Sequence, residues 1–379
     1  MVGRVSIGGL FSTDGTYHRM GLNALTGAQH AVRELNERGD LDFELRLEQF
    51  NPEGRLERYS SGVRMLNQQG IRHFFGPITS AGRKEIIPDI EQQGSLLWFS
   101  CPYEGFESSE HVVYLGGCPN QTLIPLLRYA IERYGDQAYL LGSNYVWGWE
   151  SNRIAREVLD AAGGIVCGEK YCHLGATAFA DWICGIVQSP PAFILNNLVG
   201  ESSHAFLHQL DAACVSAGLV LPVLSCNLTE GELVDVGELR ALRLLSCGPF
   251  FEAVDMTFGE RQRNRHGVHP YSHYYAGAYA AVHLFAAACQ AMGSDDPAGV
   301  RQALYTSPVP TALGALHVSS RNNHTGLPCY IAELRQGRFE IVHAEKSLRN
   351  ADPYLTATDL EEFRTLRTRT ASRHLRIVK

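Results

Sequence analysis

Apolar strand patterns and amphipathic helix patterns alternate through most of the chain, and this alternation restricts the fold more than any other feature. VSIGGLF leads into a helix from about Met20 to Arg38, with Leu25, Ala28, Val32 and Leu35 on one face. FELRLEQF, a helix near 56–69, HFFG, a helix near 81–93 and SLLWFS continue the series. Such alternation predicts parallel strands covered by helices on both faces. After Pro119 the series restarts, with helices near 121–134, 149–162, 178–188 and 203–217 set between AYLLGS, GIVCGEKY, AFILNN and LPVLS. That is a second α/β unit. The last third differs: helices near 272–292 and 297–305 precede the short strands GALHV, CYIAEL and FEIVHA, with hairpin spacing around Gln336 and Gly337.

Composition agrees with two domains. The chain has 379 residues, 45% of them hydrophobic and 19% charged, enough to bury one large core or two smaller ones. The net charge is −7, and apart from a tail at Arg364–Lys379 the basic residues are dispersed, so direct nucleic-acid binding is not expected. The longest apolar stretch, AGAYAAVHLFAAACQAM at 276–292, contains His283 and falls short of the ~20 residues of a membrane span. It reads as a buried helix, with no membrane partner. The sequence opens into a strand without a basic n-region or cleavage site, and Cys184, Cys214, Cys247 and Cys289 sit in apolar surroundings that suit reduced thiols. Both features predict a cytoplasmic protein.

Two parallel sheets place ligands at the carboxyl ends of their strands, and two such edges facing each other make a cleft. The loops to read are FSTDG (11–15), GPITSAGRK (76–84), FSCPYEGFE (99–107), GSNYVWGWESN (142–152), NNLVGESS (196–203) and SCNLTEGE (225–232). Thr79 and Ser80 open a helix, where hydroxyls and free N–H groups can hold a carbonyl oxygen or carboxylate; plain N-capping is their competing role.

PYEGFE followed by VYLGGCPNQ, then RYGD, GSNYVWGWESN and, far downstream, SRNNH, IAEL and ADPY resemble the amide receptors that regulate aliphatic amidase operons in bacteria, the AmiC type. The resemblance runs from about Ile7 to Tyr354. It implies an α/β type I periplasmic-binding-protein fold, two parallel-sheet lobes with a ligand cleft between them and three crossovers. It also implies a cytoplasmic sensor of a small amide that holds an antiterminator-type RNA-binding regulatory protein inactive. Solute-binding proteins of ABC transporters for urea, short-chain amides or amino acids are similar relatives and supply the alternative reading; homo-oligomerisation is left open.

Carried over residue by residue, the family's first-lobe serine matches Ser80. A tyrosine two places earlier is Ile78, a tyrosine of the next loop is Phe99, a threonine is Cys101 and a second-lobe tyrosine is Trp147. Phe99, Ser100 and Cys101 are expected as pocket wall; Thr79, Ser80, Tyr145, Asn197, Asn227 and Thr229 remain as polar candidates. The lost hydroxyls predict a larger or more apolar ligand than acetamide. Tyr103 and Phe106 are expected to pack the loop, and Glu104 to cap or bridge near the hinge.

Catalytic readings find little support in the sequence. Cys101 with Glu104 suggests an amidohydrolase, but no motif sets a lysine or histidine beside them. His204 and His208 have metal spacing, yet Ala205 takes the place of the glutamate in H-E-x-x-H. The expectation is therefore a non-enzymatic sensor without cofactor or metal. Its lobes are placed at 1–118 plus 250–322 and at 119–249 plus 323–358, followed by a basic tail, 359–379, whose Phe363, Leu366, Leu375 and Ile377 are either unstructured or laid along an acidic partner.

Overall fold

The computed structural model describes residues 3–345, 347–364 and 366. Its first sheet is built from β1 (Gly3–Gly9), β2 (Phe43–Gln49), β3 (His73–Phe75), β4 (Leu96–Phe99) and β5 (Val112–Tyr114). These are parallel in the order β2-β1-β3-β4-β5, with α1 (His18–Arg38), α2 (Leu56–Gln68) and α3 (Ser80–Gln92) as the crossovers.

The second unit follows with α4 (Leu123–Tyr134), β6 (Gln137–Ser143), α5 (Val146–Ala162), β7 (Ile165–Cys172), α6 (Ala180–Gln188), β8 (Phe193–Asn197), α7 (Glu201–Ala217), β9 (Leu221–Ser225), α8 (Leu233–Val236) and β10 (Leu242–Gly248). Beyond it lie α9 (Met256–His266), α10 (His273–Met292), α11 (Pro297–Leu304), the two-stranded ribbon β11 (Val309–Thr311) and β12 (Gly314–Leu316), and the hairpin β13 (Tyr330–Arg335) and β14 (Arg338–Ala344). The hairpin joins the second sheet antiparallel, giving the order β14-β13-β10-β9-β8-β6-β7. Gln336 and Gly337 make its turn with φ of 50° and 75°, a two-residue loop whose twist matches that of the strands.

α10 returns to the first lobe and lies along α1. Their backbones approach so closely that a Cβ on Gly27 would stand 2.3 Å from the Tyr275 carbonyl oxygen. Alanines make this contact: Ala24, Ala28 and Ala31 of α1 and Ala276, Ala278, Ala280 and Ala281 of α10 are all buried. The Ala-rich stretch is thus a buried helix, and no described helix is long and apolar enough to cross a membrane.

Where the chain passes between lobes, its strands run side by side. Tyr114 accepts from the Thr325 N–H at 3.1 Å and donates to the Asn323 carbonyl at 2.9 Å. Gln121 Nε2 donates to the carbonyls of Thr325 and Arg349 at 2.9 and 2.8 Å. One apolar core continues from the first lobe through the α4 and α5 face of the second sheet, while α6 and α7 cover a separate cluster on the opposite face. The start of the basic tail belongs to the folded body: Phe363 and Leu366 are buried, and Arg128 of α4 lies 5.0 Å over the Phe363 ring. These two apolar residues are therefore not offered to a partner; Leu375 and Ile377 lie outside the described residues.

Candidate functional site

Each sheet has a point where the strand order reverses, between β1 and β3 in the first and between β6 and β8 in the second. Loops leaving such a point splay apart and leave a crevice at the carboxyl ends. Here the two crevices face each other and the lobes are closed together. Glu201 N–H donates to the Thr16 carbonyl at 3.3 Å, Arg19 makes a bidentate pair with Asp235 at 2.8 and 3.0 Å, and Tyr274 Oη donates to the Asn227 carbonyl at 3.0 Å.

Between the lobes lies a central cavity of about 20 Å³, room for about one water molecule. Ile78, Thr79, Ser80, Tyr145, Trp147 and Asn227 of the predicted set line it, and none of its lining side chains is charged. Thr79 caps α3, accepting from Gly82 N–H at 3.2 Å, so the capping role and the lining role coincide. Asn227 is held by its neighbours: Nδ2 donates to the Leu198 carbonyl at 3.1 Å and Oδ1 accepts from Ser225 Oγ at 2.7 Å. Trp147 is different. Its indole N–H is buried without a hydrogen-bond partner. Burial raises the Tyr145 phenol well above its ordinary pKa, so it serves as a neutral hydroxyl.

The other predicted residues stand behind the wall. Phe99 is fully buried with its ring 4.6 Å from the Arg83 guanidinium, which has Tyr103 at the same distance. Ser100 is buried beside α10, its carbonyl 2.9 Å from where a Cβ on Gly277 would be. Cys101 Sγ points to the Pro77 carbonyl at 3.7 Å. Asn197 Nδ2 donates to Asn152 Oδ1 at 2.9 Å, and Thr229 caps a short helical turn through Gly231 N–H. Met20, Pro102, Val199 and Tyr274 take the remaining places in the lining. Trp147 occupies more room than a tyrosine would, and the Phe99 ring packs on Arg83.

The PYEGFE loop is anchored from below. Arg83 donates to Glu104 at 3.0 Å, to Glu107 at 2.7 Å and to Ser80 Oγ at 3.3 Å, while Lys84 adds 2.9 Å to Glu107. Tyr103 Oη bonds His324, and Phe106, at a φ of 55°, donates its N–H to the Pro353 carbonyl at 2.8 Å. The loop thus joins the pocket floor, through Ser80 and Pro102, to the crossing strands.

The hydrolytic and metal candidates, Cys101 and the His204–His208 pair, are engaged elsewhere. Burial pushes the Cys101 thiol far up, although Arg83 opposes it, which is the reverse of an activated nucleophile. His204 Nε2 is taken by Glu232 at 3.0 Å and His208 Nε2 lies 2.8 Å from the Val236 carbonyl; among the described residues no group of three metal-binding side chains converges.

A family model described as "Periplasmic binding protein domain" matches residues 5–360. Among solved structures, an amino acid ABC transporter substrate-binding protein from Pseudomonas fluorescens is 17% identical, with 93% of this chain and 98% of that one covered and a TM-score of 0.78. A solute-binding protein of an ABC transporter from R. palustris, in complex with benzoate, is 15% identical over 93% of this chain and 99% of that one, at a TM-score of 0.82. The branched-chain amino acid transporter substrate binding protein LivJ from Streptococcus pneumoniae, in complex with isoleucine, is 17% identical over 91% and 99%, at 0.77.

Proposed function

Because the chain belongs to the periplasmic binding protein domain family and has the type I two-lobed α/β fold, we propose that it captures a small uncharged polar solute, a urea or short amide, between its lobes as a transporter's solute-binding protein does. The observation that carries this reading is the lining of the central cavity. The ammonium of an amino acid would bring a charge that no lining side chain complements, and a carboxylate would have only the hydroxyls and N–H groups at the start of α3 to hold it, whereas an unpaired buried charge is strongly disfavoured. A urea or amide carbonyl can accept from the Trp147 indole N–H, and its NH₂ groups can donate to the hydroxyls of Ser80, Thr79 or Tyr145. With room for about one water in the closed form, the shortest amides fit with least opening of the lobes.

The test is calorimetry with urea, formamide, acetamide, hexanamide, isoleucine and benzoate, paired with small-angle scattering. Urea or acetamide binding with a smaller radius of gyration supports the reading. Tighter binding of isoleucine or benzoate removes it.

A second reading, a cytoplasmic amide sensor acting on an antiterminator-type protein, is favoured by the cysteines. All ten are free, and the buried sulfurs of Cys247 and Cys329 lie 3.7 Å apart without a bond, as suits a reducing compartment. Fractionation of the native host, with a pull-down in the presence and absence of acetamide, separates the two readings: an RNA-binding partner released by amide selects the sensor, and a membrane permease selects the transporter.

A further inference from the structure

The lobes also meet away from the central cavity, where Arg19, near the start of α1, faces Asp235 of α8 across the seam. Nε and Nη2 of the guanidinium donate to Oδ2 and Oδ1 of the carboxylate at 2.8 and 3.0 Å, a planar fork met by a planar acceptor. Among the described residues no other ion pair joins the two lobes. Both side chains line a pocket of about 370 Å³ that opens along the seam, and they stay 39% and 29% exposed, so dissolved ions reach them. Each favours the charge of the other: the guanidinium keeps the Asp235 carboxyl below its usual range, and the carboxylate raises Arg19. The pair is lost once the lobes part, because α1 packs on the first sheet and α8 belongs to the second unit. Met20, the residue after Arg19, lines the central cavity, so the placing of Arg19 bears on the wall that a solute meets.

We propose that Arg19 and Asp235 are positioning residues for solute capture: their pair draws the lobes together and seats Met20 at the cavity, so affinity falls as ionic strength rises although neither side chain touches the solute. This rests on the reading that a small uncharged solute occupies the central cavity. A urea or amide has no net charge and the cavity lining has none, so contacts made there are nearly indifferent to salt. The pair across the seam is open to counterions and contributes only when the lobes meet. It therefore raises the closed, solute-holding fraction, and apparent affinity rises in proportion to that fraction. An exposed bidentate pair changes such an equilibrium by about threefold.

The experiment is calorimetry of the full chain with urea and acetamide, from about 0.01 M to about 1 M sodium chloride, over which the screening length falls from about 30 Å to about 3 Å. Wild type binds about threefold more weakly at the high salt, and Asp235→Asn binds about threefold more weakly at the low salt and loses most of the salt dependence. Exchange of the charges, Arg19→Asp with Asp235→Arg, recovers affinity and salt dependence relative to Arg19→Asp alone, which mere repacking of the seam would not do. Small-angle scattering without solute is the second readout: at low salt wild type has a smaller radius of gyration than Asp235→Asn, and at high salt the two agree. A wild-type affinity that ignores salt, the same salt dependence in Asp235→Asn, or an exchange variant no better than Arg19→Asp overturns the proposal. If neither urea nor acetamide binds, the reading of the central cavity falls and scattering decides on the pair: a smaller wild-type radius at low salt upholds it, and equal radii overturn it. Should the exchange variant fail to fold, wild type against Asp235→Asn decides.

Discussion

Arg83 and Glu104 form an ion pair sealed from water, Nη2 to Oε1 at 3.0 Å with side chains 0% and 1% exposed. Burial opposes the charge on Arg83, yet Glu104 and Glu107 together raise its pKa above the ordinary value. Removing Arg83 leaves Glu104 in the interior with only Lys84 Nζ, 3.6 Å away, as a cationic partner, and breaking such a buried pair costs about 3–5 kcal/mol. Arg83→Met is therefore expected to lose that much stability in urea unfolding. A loss below about 1 kcal/mol would mean that the pair is not the anchor of the PYEGFE loop.

The same cluster sets an acid limit. Burial favours the protonated form of Glu107, but Arg83 and Lys84 outweigh it and bring the pKa from 4.5 down to about 2. A depressed carboxylate stabilises the fold fully above its unfolded pKa, and that contribution fades as pH falls from about 4.5 toward about 2. The stability gap between wild type and Glu107→Gln should thus be wide at pH 6 and narrower at pH 3. A gap independent of pH contradicts this assignment.

Trp147→Phe tests the donor of the central cavity. The ring still fills most of the space, while the unpartnered N–H is gone, so a bound amide loses one hydrogen bond worth ~1 kcal/mol and about fivefold in affinity. Calorimetry with urea or acetamide reads the change. Unaltered affinity would place the carbonyl elsewhere.

Gly200 controls closure. Its φ is 56°, and a Cβ there would stand 1.9 Å from the carbonyl oxygen of Thr16 in the facing lobe. Gly200→Ala should leave each lobe folded, at a backbone cost of ~1–3 kcal/mol for a φ of 56° and ψ of −129°, but hold the lobes apart. Scattering would show a larger radius of gyration that added amide does not reduce. A variant that compacts like wild type would show that the seam can yield.

The architecture was legible because each crossover keeps its own period: helix starts at His18, Leu56 and Pro297 fall within two residues of their expected places. α9 escaped notice because only Phe258, Gly259 and Gln262 of Met256–His266 are buried, so it carries no apolar stripe. The site was half legible. Loops at the carboxyl ends pointed to Ile78, Ser80, Trp147 and Asn227, but not to Met20 and Tyr274, which arrive on helices. The contact of Phe99 with Arg83, which lies on another element, was not legible, because a resemblance in sequence does not reveal which ring a guanidinium covers.

The interleaving of the two sheets also bears on synthesis. The face of α1 that meets α10 stays uncovered until residue 292 has been made, and the second sheet lacks β13 and β14 until residue 344. Neither half can complete its packing while the chain is still short, so folding on the ribosome must wait for the last fifth of the polypeptide. A nascent chain stalled before α10 would expose the alanine seam to chaperones, and the two lobes cannot be divided into independent fragments by a single cut.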